Sequence, residues 1–414
     1  MEYSIDNTFL INSSLEPNYN GFSLIPNNDN IRVLNFSPGP TSLPTEVMTE
    51  FKNDFVNKWK LGASPLEISH RSPEFLETKI SCEKLFREIL EIPDNYELIW
   101  THGGGHGQFS AVPINLTNDF NDKPNYIVTG TWSNRSFNEA KKFCSPNKSC
   151  QEEDISDINK IDSEFLSKSL NESKNPSYVY VCSNETINGL EFREDGIPIP
   201  SKDLTKGRIM IVDMSSDILS KKVNWDNIDV AFACAPKNFG FAGSTVTIIK
   251  KDLLDIESRD NIPSLLDWKL IRNSESFWNT LPVFNIYITE RILRFYKKIG
   301  GIQVLENQNT IKSNIIYNIL DDDNIYEPVV SKGRSERSRM NIPFYIKNKD
   351  VMELFVHNAF KNNIVGLKTK TPFTDPNKPE QLRISLYNSV TIEDTQYLAS
   401  FMINFDKYIK STKV

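Results

Sequence analysis

The sequence predicts an α/β fold: a mainly parallel, mixed sheet covered by helices on both faces, with a smaller α+β unit towards the C-terminal end. Three observations predict it. Short apolar runs alternate with helical patterns from about residue 44 to residue 285. Most of those runs end in Gly, Asn, Asp or Lys. Beyond about residue 285 the pattern gives way to one long amphipathic stretch and then to mixed elements. Sheets of this kind carry their sites at the carboxyl ends of the strands, so the residue that follows each run is the one to read for chemistry.

Pro44 opens a helical stretch with Val47, Met48, Phe51 and Phe55 on one face. Glu97–Trp100 reads as a short buried strand, followed by a glycine run and a helix from Gln108. Tyr126–Val128, Tyr178–Cys182, Ile209–Val212, Val230–Cys234 and Val246–Ile249 are the further strands. Ile286 to Ile299 is a long amphipathic helix closed by Gly300–Gly301, a C-cap signature. A strand at Pro343–Ile346, a helix over Val351–Phe360 and a strand at Leu382–Leu386 follow. The last helix opens with Thr391 and Asp394 at capping-box spacing and buries Leu398, Phe401, Met402 and Phe405.

With 414 residues and 39% hydrophobic content, the chain can bury one large core or two unequal ones. The net charge of −7 gives no global attraction to nucleic acid or anionic lipid. No apolar run approaches the roughly 20 residues of a membrane span. The five cysteines are odd in number and form no CxxC pair, which suits buried thiols in a reducing, cytoplasmic setting better than disulfides or zinc. His102 and His106 are four apart with glycines between them, so no helical zinc pair, and no metal site, is expected. Residues 1–30 lack Lys and Arg and match neither a secretory signal nor a mitochondrial presequence. They read as a mobile or loosely docked extension, or as one held on a neighbouring subunit by Phe9, Leu10 and Ile11.

Four features could carry chemistry, each with a plainer alternative. Gly103-Gly104-Gly105-His106-Gly107 lies between a strand and a helix start: a tight turn, or a cradle of bare amides for a phosphate. It fits neither GxGxxG, because Gln108 takes the last position, nor an ATP loop. Asp213 ends a strand, as a helix cap or as the partner of a protonated ring nitrogen. Lys237 follows the run Val230–Ala235, as a solvated cation or as a partly buried amine of lowered pKa able to form a Schiff base. Trp132 follows a third strand, as a core residue or as a stacking surface for a planar cofactor. A phosphate cradle, a stacking ring, a carboxylate and a lysine after successive strands are together the set of parts that pyridoxal phosphate needs.

The chain at this point resembles the phosphoserine aminotransferases, class V aminotransferases with fold type I of the pyridoxal-phosphate enzymes. The resemblance rests on Asn35-Phe36-Ser37-Pro38-Gly39-Pro40, Glu67-Ile68-Ser69-His70-Arg71-Ser72, the Gly103–Phe109 run, Cys182-Ser183-Asn184-Glu185-Thr186-Ile187, Asp213-Met214-Ser215-Ser216, Ala235-Pro236-Lys237-Asn238, Asn279-Thr280, Ser338-Arg339-Met340-Asn341 and Arg383-Ile384-Ser385-Leu386-Tyr387-Asn388. These blocks run in family order from about residue 31 to residue 408.

The resemblance implies a large cofactor-binding domain over 31–290, with 31–44 packed on a small domain over 291–414. It implies Lys237 as the Schiff-base lysine, Asp213 at the pyridinium nitrogen, Trp132 on the ring, and Thr186 near the ring hydroxyl. Gly105, His106 and Ser215 would receive the phosphate, and Asn279 and Thr280 would reach it from the partner of a homodimer. Arg383 would clamp the substrate α-carboxylate, while His70 and Arg71 would face the distal phosphate. The implied reaction exchanges O-phospho-L-serine and 2-oxoglutarate for 3-phosphohydroxypyruvate and glutamate, with a related step towards pyridoxine as an extension. The alternatives are the same chemistry on another acidic or non-phosphorylated 2-oxo acid, and a non-catalytic scaffold.

Two positions depart from the family pattern. Pro236 stands where the family has Gln, removing a donor. After Gly366-Leu367-Lys368 the family has Gly-His-Arg; here Thr369-Lys370-Thr371-Pro372 leads into a longer loop. Lys370 or Lys378 would replace the missing pair as point charges.

Overall fold

The computed structural model describes residues 32–149, 177–256, 259–368 and 380–412. The expectations for residues 1–30, Lys370 and Lys378 lie outside the described residues.

In chain order, β1 (Leu34–Asn35) and α1 (Thr45–Asp54) lead into α2 (Pro73–Leu90). That helix starts on Ser72, whose hydroxyl accepts from Phe75 N, with proline at its first position. Next come β2 (Tyr96–Thr101), α3 (Gly104–Leu116), β3 (Asn125–Tyr126), α4 (Thr131–Ala140) and β4 (Asn147–Lys148). After them lie β5 (Tyr178–Cys182), the hairpin β6 (Asn184–Glu185) and β7 (Leu190–Glu191), β8 (Ile209–Asp213), β9 (Val230–Cys234) and β10 (Thr245–Lys250). The short α5 (Trp268–Asn273) precedes α6 (Val283–Lys298) and α7 (Gly301–Leu320). The remaining elements are β11 (Tyr326–Pro328), β12 (Asn341–Ile346), α8 (Lys349–Lys361), β13 (Ile364–Val365), β14 (Leu382–Ser385) and α9 (Ile392–Thr412).

The central sheet has the order β2-β10-β9-β8-β5-β3-β4. The pairs from β9 through β8, β5 and β3 to β4 are parallel, while β10 runs antiparallel to both neighbours. Strands β5, β8 and β9 are buried along nearly their whole length, as strands with covered faces must be. Since β10 opposes both β2 and β9, those two point the same way. The carboxyl ends of β2, β3, β5, β8 and β9 therefore share one edge.

Most of the strand expectations hold within a residue or two. Tyr126–Val128 is the exception: the ladder ends at Tyr126, though Ile127 N still donates to Tyr180 O at 2.9 Å. The third helix starts at Gly104, four residues before the expected Gln108, because the glycine run itself supplies the first turn. Phe55 lies just past α1 and is exposed; only Val47 of that expected face is fully buried. The predicted capping box forms: Thr391 Oγ1 accepts from Asp394 N and Asp394 Oδ2 accepts from Thr391 N, both at 3.0 Å.

Two apolar cores are present. The first fills both sides of the central sheet; the second lies between the β11-β12-β14 sheet, α8 and α9. The handover occurs within α7, whose Ile302 and Leu305 belong to the first core and whose Ile316, Tyr317 and Leu320 belong to the second. Phe36 is buried in the second core, and β1 pairs in parallel with β13.

Polar ties join the halves. Glu191 receives Lys221 Nζ at 2.9 Å, Arg339 N at 2.8 Å and Arg339 Nη2 at 3.1 Å, all buried. Lys312 Nζ donates to the carbonyls of Leu386, Tyr387 and Val390, each at 2.9 Å, and fixes the turn that follows β14.

Candidate active site

A cavity of about 410 Å³ opens at the shared strand edge. Asp213 ends β8 on its floor, with Oδ1 accepting from Ser215 N at 2.9 Å. Burial pushes its carboxyl above the usual range, although Lys237 and the Ser215 amide oppose that. Lys237 follows β9 and lines the same cavity, with Nζ 5.6 Å from the centre of the Trp132 ring.

The expectation of a lowered lysine pKa is not met by the protein groups alone. Burial pulls the Lys237 ammonium down, but Tyr387, Cys234, Asp213 and Cys182 outweigh it and hold the amine above the ordinary lysine range. Pro236, for its part, shapes the turn. Lys237 N donates to Ala235 O at 2.7 Å across it, a γ-turn whose central φ proline presets. The Pro236 carbonyl accepts from Thr41 N.

The glycine run forms the start of α3. Gly103 takes a left-handed φ of 88°, and a Cβ on Gly107 would stand 2.9 Å from His102 O, so the tight entry depends on both glycines. The first helical bond runs from Gly107 N to Gly103 O at 3.0 Å. This leaves the amides of Gly104, Gly105 and His106 as the first-turn donors that an anion at a helix N-terminus would use. Ser215 Oγ stands opposite, 3.8 Å from where a Cβ on Gly105 would lie. His106 is exposed at the rim, its ring 5.9 Å from that of Trp132.

Arg383, on β14, reaches across from the second core. Its Nη1 donates to Thr186 O at 3.1 Å, and burial lowers its pKa. The cavity wall is polar in a particular way: Trp132 Nε1, Thr186 Oγ1, Ser215 Oγ and Arg383 Nε are buried and have no hydrogen-bond partner in the protein. Burying such groups unpaired is costly. A planar ligand with a phosphate, a ring hydroxyl and a carboxylate-bearing substrate beside it would satisfy them.

The structure thus brings together Gly105, His106, Trp132, Thr186, Asp213, Ser215, Lys237 and Arg383. It does not bring His70, Arg71, Asn279 or Thr280 to this cavity. Arg71, Asn279 and Thr280 are exposed, and His70 packs its ring 6.1 Å from Phe277. The sequence reading missed Arg135, whose guanidinium lies 4.7 Å over the Trp132 ring, and Lys368, which pairs with Glu380 at 3.4 Å; both line the cavity. The i, i+3 spacing of Trp132 and Arg135 on one helix was the available signal for the first. Among the described residues, no helix is long and apolar enough to cross a membrane and no cluster of metal-ligating side chains occurs.

The class V aminotransferase family profile matches residues 33–398. A phosphoserine aminotransferase of Buchnera aphidicola subsp. Cinara cedri is 38% identical over 379 residues, 91% of this chain and 99% of the relative. One of Blochmanniella floridana is 35% identical over 91% of this chain and 99% of its own. Among solved structures, the phosphoserine aminotransferase of Bacillus circulans subsp. alkalophilus superposes with a TM-score of 0.82 at 29% identity, covering 91% of this chain and 99% of that one. The pyridoxal-phosphate-bound phosphoserine aminotransferase of Trichomonas vaginalis gives 0.76 at 29% identity, covering 90% and 99%. A profile match spanning nearly the whole described fold, over a cavity built from Lys237, Asp213 and Arg383, leads to one conclusion: this chain belongs to the class V aminotransferase family.

Proposed function

We propose that the chain is a pyridoxal-phosphate-dependent aminotransferase that exchanges O-phospho-L-serine and 2-oxoglutarate for 3-phosphohydroxypyruvate and L-glutamate, in serine biosynthesis. The observation that carries this is the convergence of four buried, unpartnered polar groups, on Trp132, Thr186, Ser215 and Arg383, upon the cavity that holds Lys237 and Asp213. The names of the relatives at 35–38% identity support the substrate. So does the charge of the wall: with Lys368 paired to Glu380, Arg135, Lys237 and Arg383 still face a single carboxylate, Asp213, among the described lining residues, which favours substrates with two anionic ends.

When bound, pyridoxal phosphate supplies an aldehyde and a protonated ring that draws electrons from the substrate's Cα. Lys237 Nζ would hold the aldehyde end, Asp213 the ring nitrogen, Thr186 Oγ1 the ring hydroxyl, and the first-turn amides of α3 with Ser215 Oγ the phosphate. Trp132 would offer its ring as the stacking surface for the planar group. Arg383 orients the α-carboxylate through Nε and its free edge. Lys237 Nζ is the base placed to take and return the Cα proton.

A homodimer belongs to the same reading. His70, Arg71, Asn279 and Thr280 stand away from their own cavity, on segments that also expose Val56, Leu66, Ile80 and Trp278. Their place would be the partner's cavity, with the distal phosphate and cofactor phosphate as ligands. The described cysteines are all free thiols, in keeping with a cytoplasmic setting.

A half-reaction experiment tests the proposal. Glutamate should bleach the visible absorbance of the purified holoenzyme, and 3-phosphohydroxypyruvate should restore it faster than non-phosphorylated 2-oxo acids. Restoration by another acid alone would reassign the substrate; no bleaching by any amino acid would remove the activity.

A further inference from the structure

α4, which carries Trp132, begins on Gly130, and glycine offers no side chain to its first amides. Those amides are nevertheless all engaged, by side chains from a different part of the chain. Asn188 Oδ1 accepts from Thr131 N at 2.9 Å. Glu185 Oε2 accepts from Trp132 N at 2.9 Å, and Glu185 Oε1 accepts from Ser133 N at 2.9 Å and from Ser133 Oγ at 2.5 Å. Three donors meet two oxygens, the pattern of an ionised carboxylate at the positive end of a helix.

Glu185 is wholly buried, and burial, with the nearby Asp213, holds its pKa above the usual carboxylate range against the Ser133 and Trp132 bonds that favour the charged form. The fit is close: a Cβ on Gly130 would stand 2.6 Å from Asn188 Oδ1 and 2.6 Å from Glu185 Cδ. The residue after Glu185 is Thr186, whose carbonyl receives Arg383, and Gln381 Nε2 donates to Ile187 O at 2.7 Å. One turn thus braces the indole, the cavity hydroxyl and the guanidinium together.

We propose that Glu185 is a positioning residue: its carboxylate caps α4 from outside the helix and fixes the Trp132 indole at the cavity wall, and so sets how tightly the cofactor is held. The inference rests on the stacking role proposed for Trp132. Were the carboxylate only to stabilise α4, its loss would cost stability, and any change in cofactor binding would be the same whichever residue stood at 132.

A double-mutant cycle of Glu185→Gln and Trp132→Phe separates the two. The readouts are the pyridoxal phosphate dissociation constant, the visible circular dichroism of the bound cofactor, and the melting temperature of the cofactor-free chain. Glu185→Gln keeps the volume but turns an NH₂ towards backbone donors. It should weaken cofactor binding about tenfold and reduce the dichroic band in the native background. In the Trp132→Phe background it should add less than about twofold, since the effect runs through the indole. Equal weakening in both backgrounds, or none in either, overturns the proposal. An indifferent Trp132→Phe single variant would instead sink the stacking role, and this proposal with it; that outcome is visible before the cycle is closed. Should Glu185→Gln fail to fold, Glu185→Asp, which retains the charge one methylene short of the helix, enters the same cycle under the same criteria.

Discussion

Replacing Arg383 with lysine keeps a positive charge at the cavity and removes its fork. In the native chain one edge is already committed, Nη1 to the Thr186 carbonyl at 3.1 Å, while Nε is buried without a partner. A substrate carboxylate would therefore meet two parallel donors, each a charge-assisted bond of about 1.5–3 kcal/mol. A lysine ammonium supplies one of them. Losing the other, about 2 kcal/mol, corresponds to a fall of about 30-fold in kcat/KM. The fall should come mostly through KM, because the carboxylate is gripped alike in ground and transition states. It should appear with glutamate and with the oxo acid, since both carry the group. Stopped-flow measurement of each half-reaction reads it directly, with melting temperature as the control for the lost Thr186 bond. Unchanged kcat/KM would remove Arg383 from the site. A loss confined to phosphorylated substrates would place it at the other end of the substrate.

Lys237→Ala should lose turnover while the cofactor-free chain melts near the native temperature, and borohydride should no longer label the peptide around residue 237; turnover within tenfold of native would refute the role. Coexpressing Lys237→Ala with Arg71→Ala should give about a quarter of native activity from hybrid dimers, each with one complete site; activity no greater than that of the separate variants would refute sharing across an interface. Burial alone would raise the Glu191 pKa, but Lys221, Arg339 and Arg193 pull it well below the usual carboxylate range. A depressed folded pKa contributes stability above the unfolded value and loses it as pH falls, so denaturant unfolding should show native stability declining from about pH 5 downward. Glu191→Gln should flatten that decline and cost about 1.5–3 kcal/mol at neutral pH, since Lys221 and Arg339 lose their shared carboxylate but keep Asp217 and Glu306; a parallel acid profile in the variant would refute it.

The buried strands were legible because Tyr178–Cys182 and Val230–Cys234 are continuous apolar runs that only a covered sheet accepts. Asp213 was legible because it directly follows such a run, and Lys237 because it follows one after Pro236. The antiparallel direction of β10 was not, since Thr245–Lys250 reads like its neighbours and direction is set by the connection. The start of α3 was missed because its glycines look like a loop until something packs against them. Arg135 and Lys368 were missed because cations outside the core are common and only their distance to Trp132 or the cavity distinguishes them. The lysine pKa was misread for a related reason: Tyr387 reaches Lys237 from more than a hundred residues away, beyond any local pattern.

The reversed strand β10 has a use that its own residues do not reveal. It carries none of the cavity's described lining, yet it separates β2 from β9, and with neighbouring strands about 4.8 Å apart it keeps those two roughly 10 Å from each other. The helix amides that follow β2 and the lysine that follows β9 are thereby set apart as if by a ruler, whose length is the width of two hydrogen-bonded ladders and cannot drift with side-chain substitution.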